Sequence, residues 1–202
     1  MKDNRGFTLI EMLIVVLLIV LISALVIPSV SSYFQISMNS AVRDIASAVK
    51  ECSNSTMLTG RVYRMVYDIK KNEYWAESGP PNVVLDTEAS KEKAERRKRY
   101  ARPSDDTAPP TSDFTMDKTI TRKKVDLPRG VEIVDVMNQQ TKEPVKEGSA
   151  YTHFFPQGLT EQTIVHLQDS SGHKASLVIA PLAGKTDVYD HYVTMEEAFA
   201  KK

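Results

Sequence analysis

An α+β fold, with a long N-terminal membrane-spanning helix packed on an antiparallel β-sheet domain, is predicted by three features of this 202-residue chain. The first is an apolar run from Phe7 to Ile27. The second is an apolar stripe at helical spacing beyond it. The third is a series of short β-branched and aromatic segments, separated by turn residues, that fills the chain after Gly60.

Phe7 to Ile27 is 21 residues. As a helix it would be about 31 Å long, matching the roughly 30 Å hydrocarbon core of a bilayer. Lys2 and Arg5 precede the run and the next basic residue is Arg43, so the positive-inside bias keeps the N-terminus cytoplasmic and places the remainder outside the cytoplasm. That compartment permits disulfides, but Cys52 is the only cysteine, which excludes a disulfide framework.

A cleaved secretory signal is the plainer explanation of such a start. Two features argue against it. The run exceeds the usual 7–15 residues or so, and it contains Glu11, a carboxylate costing about 2.5–3.5 kcal/mol at mid-membrane. No lysine or arginine lies between residues 6 and 42, so the cation offsetting Glu11 is expected from another chain or from a newly made N-terminus.

The stretch RGFTLIEMLIVVLLIVLISALVIP resembles the N-terminal signature of type IV pilin-like proteins. In that family a short charged leader ends in glycine, and a membrane-embedded prepilin peptidase cuts after it and methylates the new amino group. The resemblance implies a leader over 1–6, cleavage between Gly6 and Phe7, N-methylation of Phe7, and Glu11 at the fifth position of the processed chain. Glu11 is then expected to pair with the Phe7 amine of a neighbouring subunit, where two charges costly in hydrocarbon attract strongly.

The helix is expected to continue to residue 58. Pro28 removes one helical hydrogen bond and is expected to kink it at the membrane exit. Met38, Val42, Ile45, Val49 and Cys52, with Ala41 and Ala48, form the apolar stripe of its amphipathic half, residues 28–58. Cys52 reads as a small buried hydrophobe on that stripe.

Residues 59–202 are expected to form a β-rich domain. RVYRMVYDI places Tyr63, Met65, Tyr67 and Ile69 on one face of a half-buried strand, and EYWAES follows the turn residues KKN as a hairpin partner. VDLPRGVEIVDVM, with Val131, Ile133 and Val136, then AYTHFFPQG, QTIVHLQD, KASLVIAP and TDVYD continue the series. The short spacings favour an antiparallel meander. Thr194, three residues before Glu197, offers a capping box for a terminal helix.

This order also resembles the GspH/FimT family, on RVYRMVYDIKKNEYW, LPRGVEI and FFPQGLTEQTIVHLQDSSGHKASLVIAPLAGKTDVY. The resemblance implies a pilin-like fold and a minor pseudopilin, a structural subunit of the periplasmic pseudopilus of a type II secretion system. The alternative is a minor pilin of a type IV pilus, serving pilus biogenesis, adhesion or DNA uptake. Implied partners are the prepilin peptidase, major and minor pilins or pseudopilins, and an inner-membrane assembly platform. The implied location is the bacterial inner membrane, single-pass, with the C-terminal domain in the periplasm.

Residues from about 86 to 118 have few apolar side chains and mixed charge, and read as a charged flexible insertion. Its cluster Arg96, Arg97, Lys98, Arg99 and Arg102 could contact phosphates. Glu88, Glu92 and Glu95 partly neutralise it, and Tyr100 alone offers stacking, so a solvated segment is the plainer reading and nucleic acid is not expected as a partner. Lys plus Arg and Asp plus Glu both total 26, so net charge adds no pull toward anionic partners.

An enzyme is not expected. His153, His166, His173 and His191 lack the spacing of a zinc site, and Asp187 and Asp190 read as surface charges, so no metal, cofactor or catalytic set is assigned. The GKT at Gly184–Thr186 has Ile179 where a phosphate-binding loop needs glycine, and reads as a turn.

Overall fold

The computed structural model describes residues 9–81, 114–141 and 143–199, and the backbone alone over 24–34. Helix α1 runs from Leu9 to Thr59 and continues through Pro28. It ends where Gly60 adopts a left-handed φ of 68° and donates its N–H to the Thr56 carbonyl at 3.0 Å, an arrangement that satisfies an otherwise orphaned carbonyl. Thr56 donates its hydroxyl to the Arg61 carbonyl, tying the helix end to the first strand.

Among the described residues nine strands follow, at β1 (Val62–Asp68), β2 (Glu73–Gly79), β3 (Thr115–Met116), β4 (Val125–Asp126), β5 (Val131–Asn138), β6 (Ser149–Phe154), β7 (Thr163–Asp169), β8 (Lys174–Ile179) and β9 (Thr186–Tyr189). A short helix α2, Met195–Phe199, closes the described chain. Thr194 accepts the Glu197 N–H at 3.3 Å, giving that half of the expected capping box.

The α+β class holds, and all strand pairs are antiparallel, but the strands do not form one meander. They divide into a sheet ordered β3-β2-β1-β6, with β4 also on β2, and a second ordered β5-β7-β8-β9. β6 leaves its sequence neighbours and pairs with β1, Tyr63 opposite Phe154. Its place in the first sheet follows from β1, which is buried on both faces rather than half-buried and is paired along both edges.

The α1 stripe, Met38, Ala41, Val42, Ile45, Ala48, Val49 and Cys52, is buried as expected and packs against both sheets. Tyr63, Met65 and Tyr67 of β1 meet it from one sheet, and Val165, Leu167 and Leu177 from the other. In β5 the core residues are Val131, Ile133 and Val136, a spacing of two and then three. A β-bulge between Ile133 and Asp135 absorbs the extra residue and returns Val136 to the core. Burial, and secondarily the charges of Asp117 and Glu51, push the Cys52 thiol far up, so this cysteine is an inert core side chain.

The C-terminal edge of the expected insertion is ordered differently from its composition. Phe114 is buried, and Thr115 and Met116 pair with Ser78 and Glu77 of β2. Cross-strand pairing and burial of one ring thus override the polar composition at residues 114–116.

Candidate assembly surface

The first half of α1 is the most unusual surface of the described residues. From Leu9 to Ile22 the large hydrophobic side chains are exposed on every side of the helix, Leu9 at 84% and Ile14 at 49%. A helix apolar all round belongs in lipid or inside a bundle of other helices. Glu11 stands in its first turn and is exposed. Among the described residues no helix is long and apolar enough to cross a membrane, and the Phe7–Ile27 run lies only partly within them.

Gly6, Phe7 and the cluster Arg96, Arg97, Lys98, Arg99 and Arg102 lie outside the described residues. Pro28 lies inside α1, which carries helical hydrogen bonding past it.

Two polar rows cross the sheets, and neither was evident in the sequence. In the first sheet Arg64 of β1 lies opposite Glu77 of β2 and His153 of β6. Its guanidinium pairs with Glu77 Oε2 at 2.7 Å and lies between the Phe114 and Tyr151 rings, 4.1 and 4.4 Å from their centroids. The other Glu77 oxygen accepts the Trp75 indole N–H at 2.7 Å. His153 Nδ1 is 2.8 Å from Glu161 Oε2, and that oxygen also accepts the His153 backbone N–H.

In the second sheet Asp135, His166 and Ser176 lie opposite one another across β5, β7 and β8. Asp–His–Ser has the composition of a nucleophilic triad, but the geometry serves anchoring. His166 Nε2 donates to the Val193 carbonyl at 2.9 Å, so it does not face the serine. Ser176 Oγ instead donates to the His191 carbonyl and accepts the Val193 N–H. Tyr192 stacks on His166 with centroids 3.7 Å apart and donates its hydroxyl to Asp135. Burial, then the Asp135 charge and hydrogen bond, raise the Tyr192 hydroxyl above its ordinary pKa. The row clamps residues 191–193 onto the sheet.

Residues 1–27 match the family model described as the prokaryotic N-terminal methylation motif. Comparison with curated proteins finds no match. Among solved structures the chain is similar to the minor pseudopilin EpsH from the Type 2 Secretion System of Vibrio cholerae, at 6% identity and a TM-score of 0.44, over 75% of this chain and 95% of that one.

Proposed function

We propose that this chain, which carries the type IV pilin-like N-terminal methylation motif, is a minor subunit of an extracytoplasmic filament, specifically a minor pseudopilin of a type II protein secretion system. One observation carries the reading. The motif leads directly into a helix whose first half is exposed and apolar on all sides and whose second half completes the core of a β-domain. Such a helix is suited first to lipid and then to a bundle of like helices. The choice of pseudopilus rests on the resemblance of the mid-chain and C-terminal phrases to the GspH/FimT family.

In this reading the prepilin peptidase removes residues 1–6 and methylates Phe7. The segment Phe7–Ile27 spans the inner membrane with its N-terminus in the cytoplasm, Pro28 bends the helix at the membrane exit, and residues 59–202 lie in the periplasm. The assembly platform then moves the subunit from lipid into the filament. Glu11 guides that transfer by pairing with the Phe7 amine of a neighbouring subunit, which offsets the cost of holding each charge in hydrocarbon.

The test is Glu11→Ala in the full chain. Processing after Gly6 is expected to be unchanged while co-purification with the other filament subunits falls about tenfold, the equivalent of one lost charge pair. Normal incorporation of the variant would contradict the assignment.

A further inference from the structure

A groove of about 470 Å³ lies between α1 and the turn joining β8 to β9, lined by Arg43, Ser47, Lys50, Gly184, Lys185 and Thr186 among others. We infer that this groove seats carboxylate side chains on the surface of a neighbouring filament subunit. The inference rests on the filament reading above.

Three cations and two hydroxyls line the groove, and no acidic residue does. Arg43, Ser47 and Lys50 recur at spacings of four and three on α1, all exposed, beside the buried stripe of Val42, Ile45 and Val49. Among the described residues only Lys185 of the three cations has a carboxylate at ion-pair distance, Asp187 at 3.5 Å. Among the described residues, Arg43 and Lys50 of the groove therefore have no ion-pair partner.

Its far wall is held in place. Gly184, at φ 57°, approaches α1 so closely that a Cβ there would stand 2.8 Å from Ser53 Cβ and 3.1 Å from its hydroxyl. A wall packed that tightly on the helix makes the groove preformed, so an occupant does not have to order it.

The position and length of the groove select the occupant. Arg43 is sixteen residues beyond Ile27 on a continuous helix, about 24 Å along its axis, whereas the headgroup layer is only about 5–8 Å deep. Even bent by about 20–30° at Pro28, the helix keeps Arg43 roughly 20 Å from the hydrocarbon edge, so lipid phosphates are out of reach. Arg43 and Lys50 are separated by about 10.5 Å of helix, a span suited to two carboxylates on a protein surface rather than to one small oxyanion. A filament built by packing α1 helices brings neighbouring subunits to the face of α1 that its own β-domain leaves open.

The experiment replaces Ser47 with a photo-crosslinking amino acid in the full-length chain, in cells assembling the filament. The adduct is expected on an Asp- or Glu-containing peptide of another pilin-like subunit. Arg43→Glu with Lys50→Glu should lower its yield about tenfold, and changing the crosslinked acids to lysine should restore it. An adduct on lipid, on a peptide without acids, or in a yield unaffected by the charge reversal overturns the inference. Methylation of Phe7 and co-purification are read in the same samples. Their failure in the wild-type chain would sink the filament reading, whereas normal incorporation with a charge-independent adduct sinks the groove alone.

Discussion

His166 Nδ1 lies 2.6 Å from Asp135 Oδ1, and both side chains are buried. Because a carbonyl only accepts, Nε2 of the ring donates to Val193, while the Asp135 carboxyl is held from one side by the ring and from the other by the Tyr192 hydroxyl. Removing the ring leaves the Asp135 carboxyl buried beside Tyr192 and frees the Val193 carbonyl. His166→Ala is therefore expected to cost about 3–5 kcal/mol. Urea denaturation measures that cost, and hydrogen exchange at residues 191–193 should accelerate beyond the rest of the second sheet. Uniform protection across the domain would show that the row is not the clamp.

The contact of Gly184 with Ser53 supplies an independent test of how the β8–β9 turn sits on α1. Gly184→Ala meets both a steric limit, 2.8 Å between two Cβ atoms, and a left-handed φ. Together these should destabilise the chain by about 2–4 kcal/mol. In a Ser53→Gly background the steric part should vanish and only the backbone part remain. Equal losses in both backgrounds would mean that the turn does not rest on the helix.

The helical stripe and the first hairpin were legible because each is periodic over a short stretch of chain. Seven apolar positions from Met38 to Cys52 repeat at helical spacing, and Tyr63, Met65 and Tyr67 alternate before a turn ending at Asn72. The division into two sheets was not legible. β6 pairs with a strand more than eighty residues earlier, and nothing within AYTHF specifies that partner. The polar rows were hidden for the same reason. Asp135 comes opposite His166 only after the bulge has shifted the register of β5, and Arg64 looks like an exposed charge until Phe114 and Tyr151 are placed against it. Glu11 was legible from hydropathy alone, as a charge inside an apolar run.

Acid stability should depend on Asp169, at the β7–β8 turn. Burial pushes its carboxyl up, but the Ser171 hydroxyl and the His173 and Ser171 N–H groups, all donating to Oδ1, outweigh burial and hold the carboxyl below its ordinary 3.8. A carboxylate depressed on folding stabilises the fold above its unfolded pKa and loses that contribution as pH falls through the folded value. Wild type is expected to be more stable than Asp169→Asn at neutral pH, and the gap should close as pH falls below 3.8. A gap that is the same at both ends of a denaturation series would remove Asp169 as its source.

The central claim, that the apolar N-terminus is a processed assembly helix, is tested most directly by the mass and sequence of the N-terminal peptide of membrane-extracted protein. The account predicts a chain that starts at Phe7 with a methyl group on its amine. A chain that starts between Ala24 and Ser29 would contradict it, since removal of the whole apolar run leaves Glu11 no place in the mature protein.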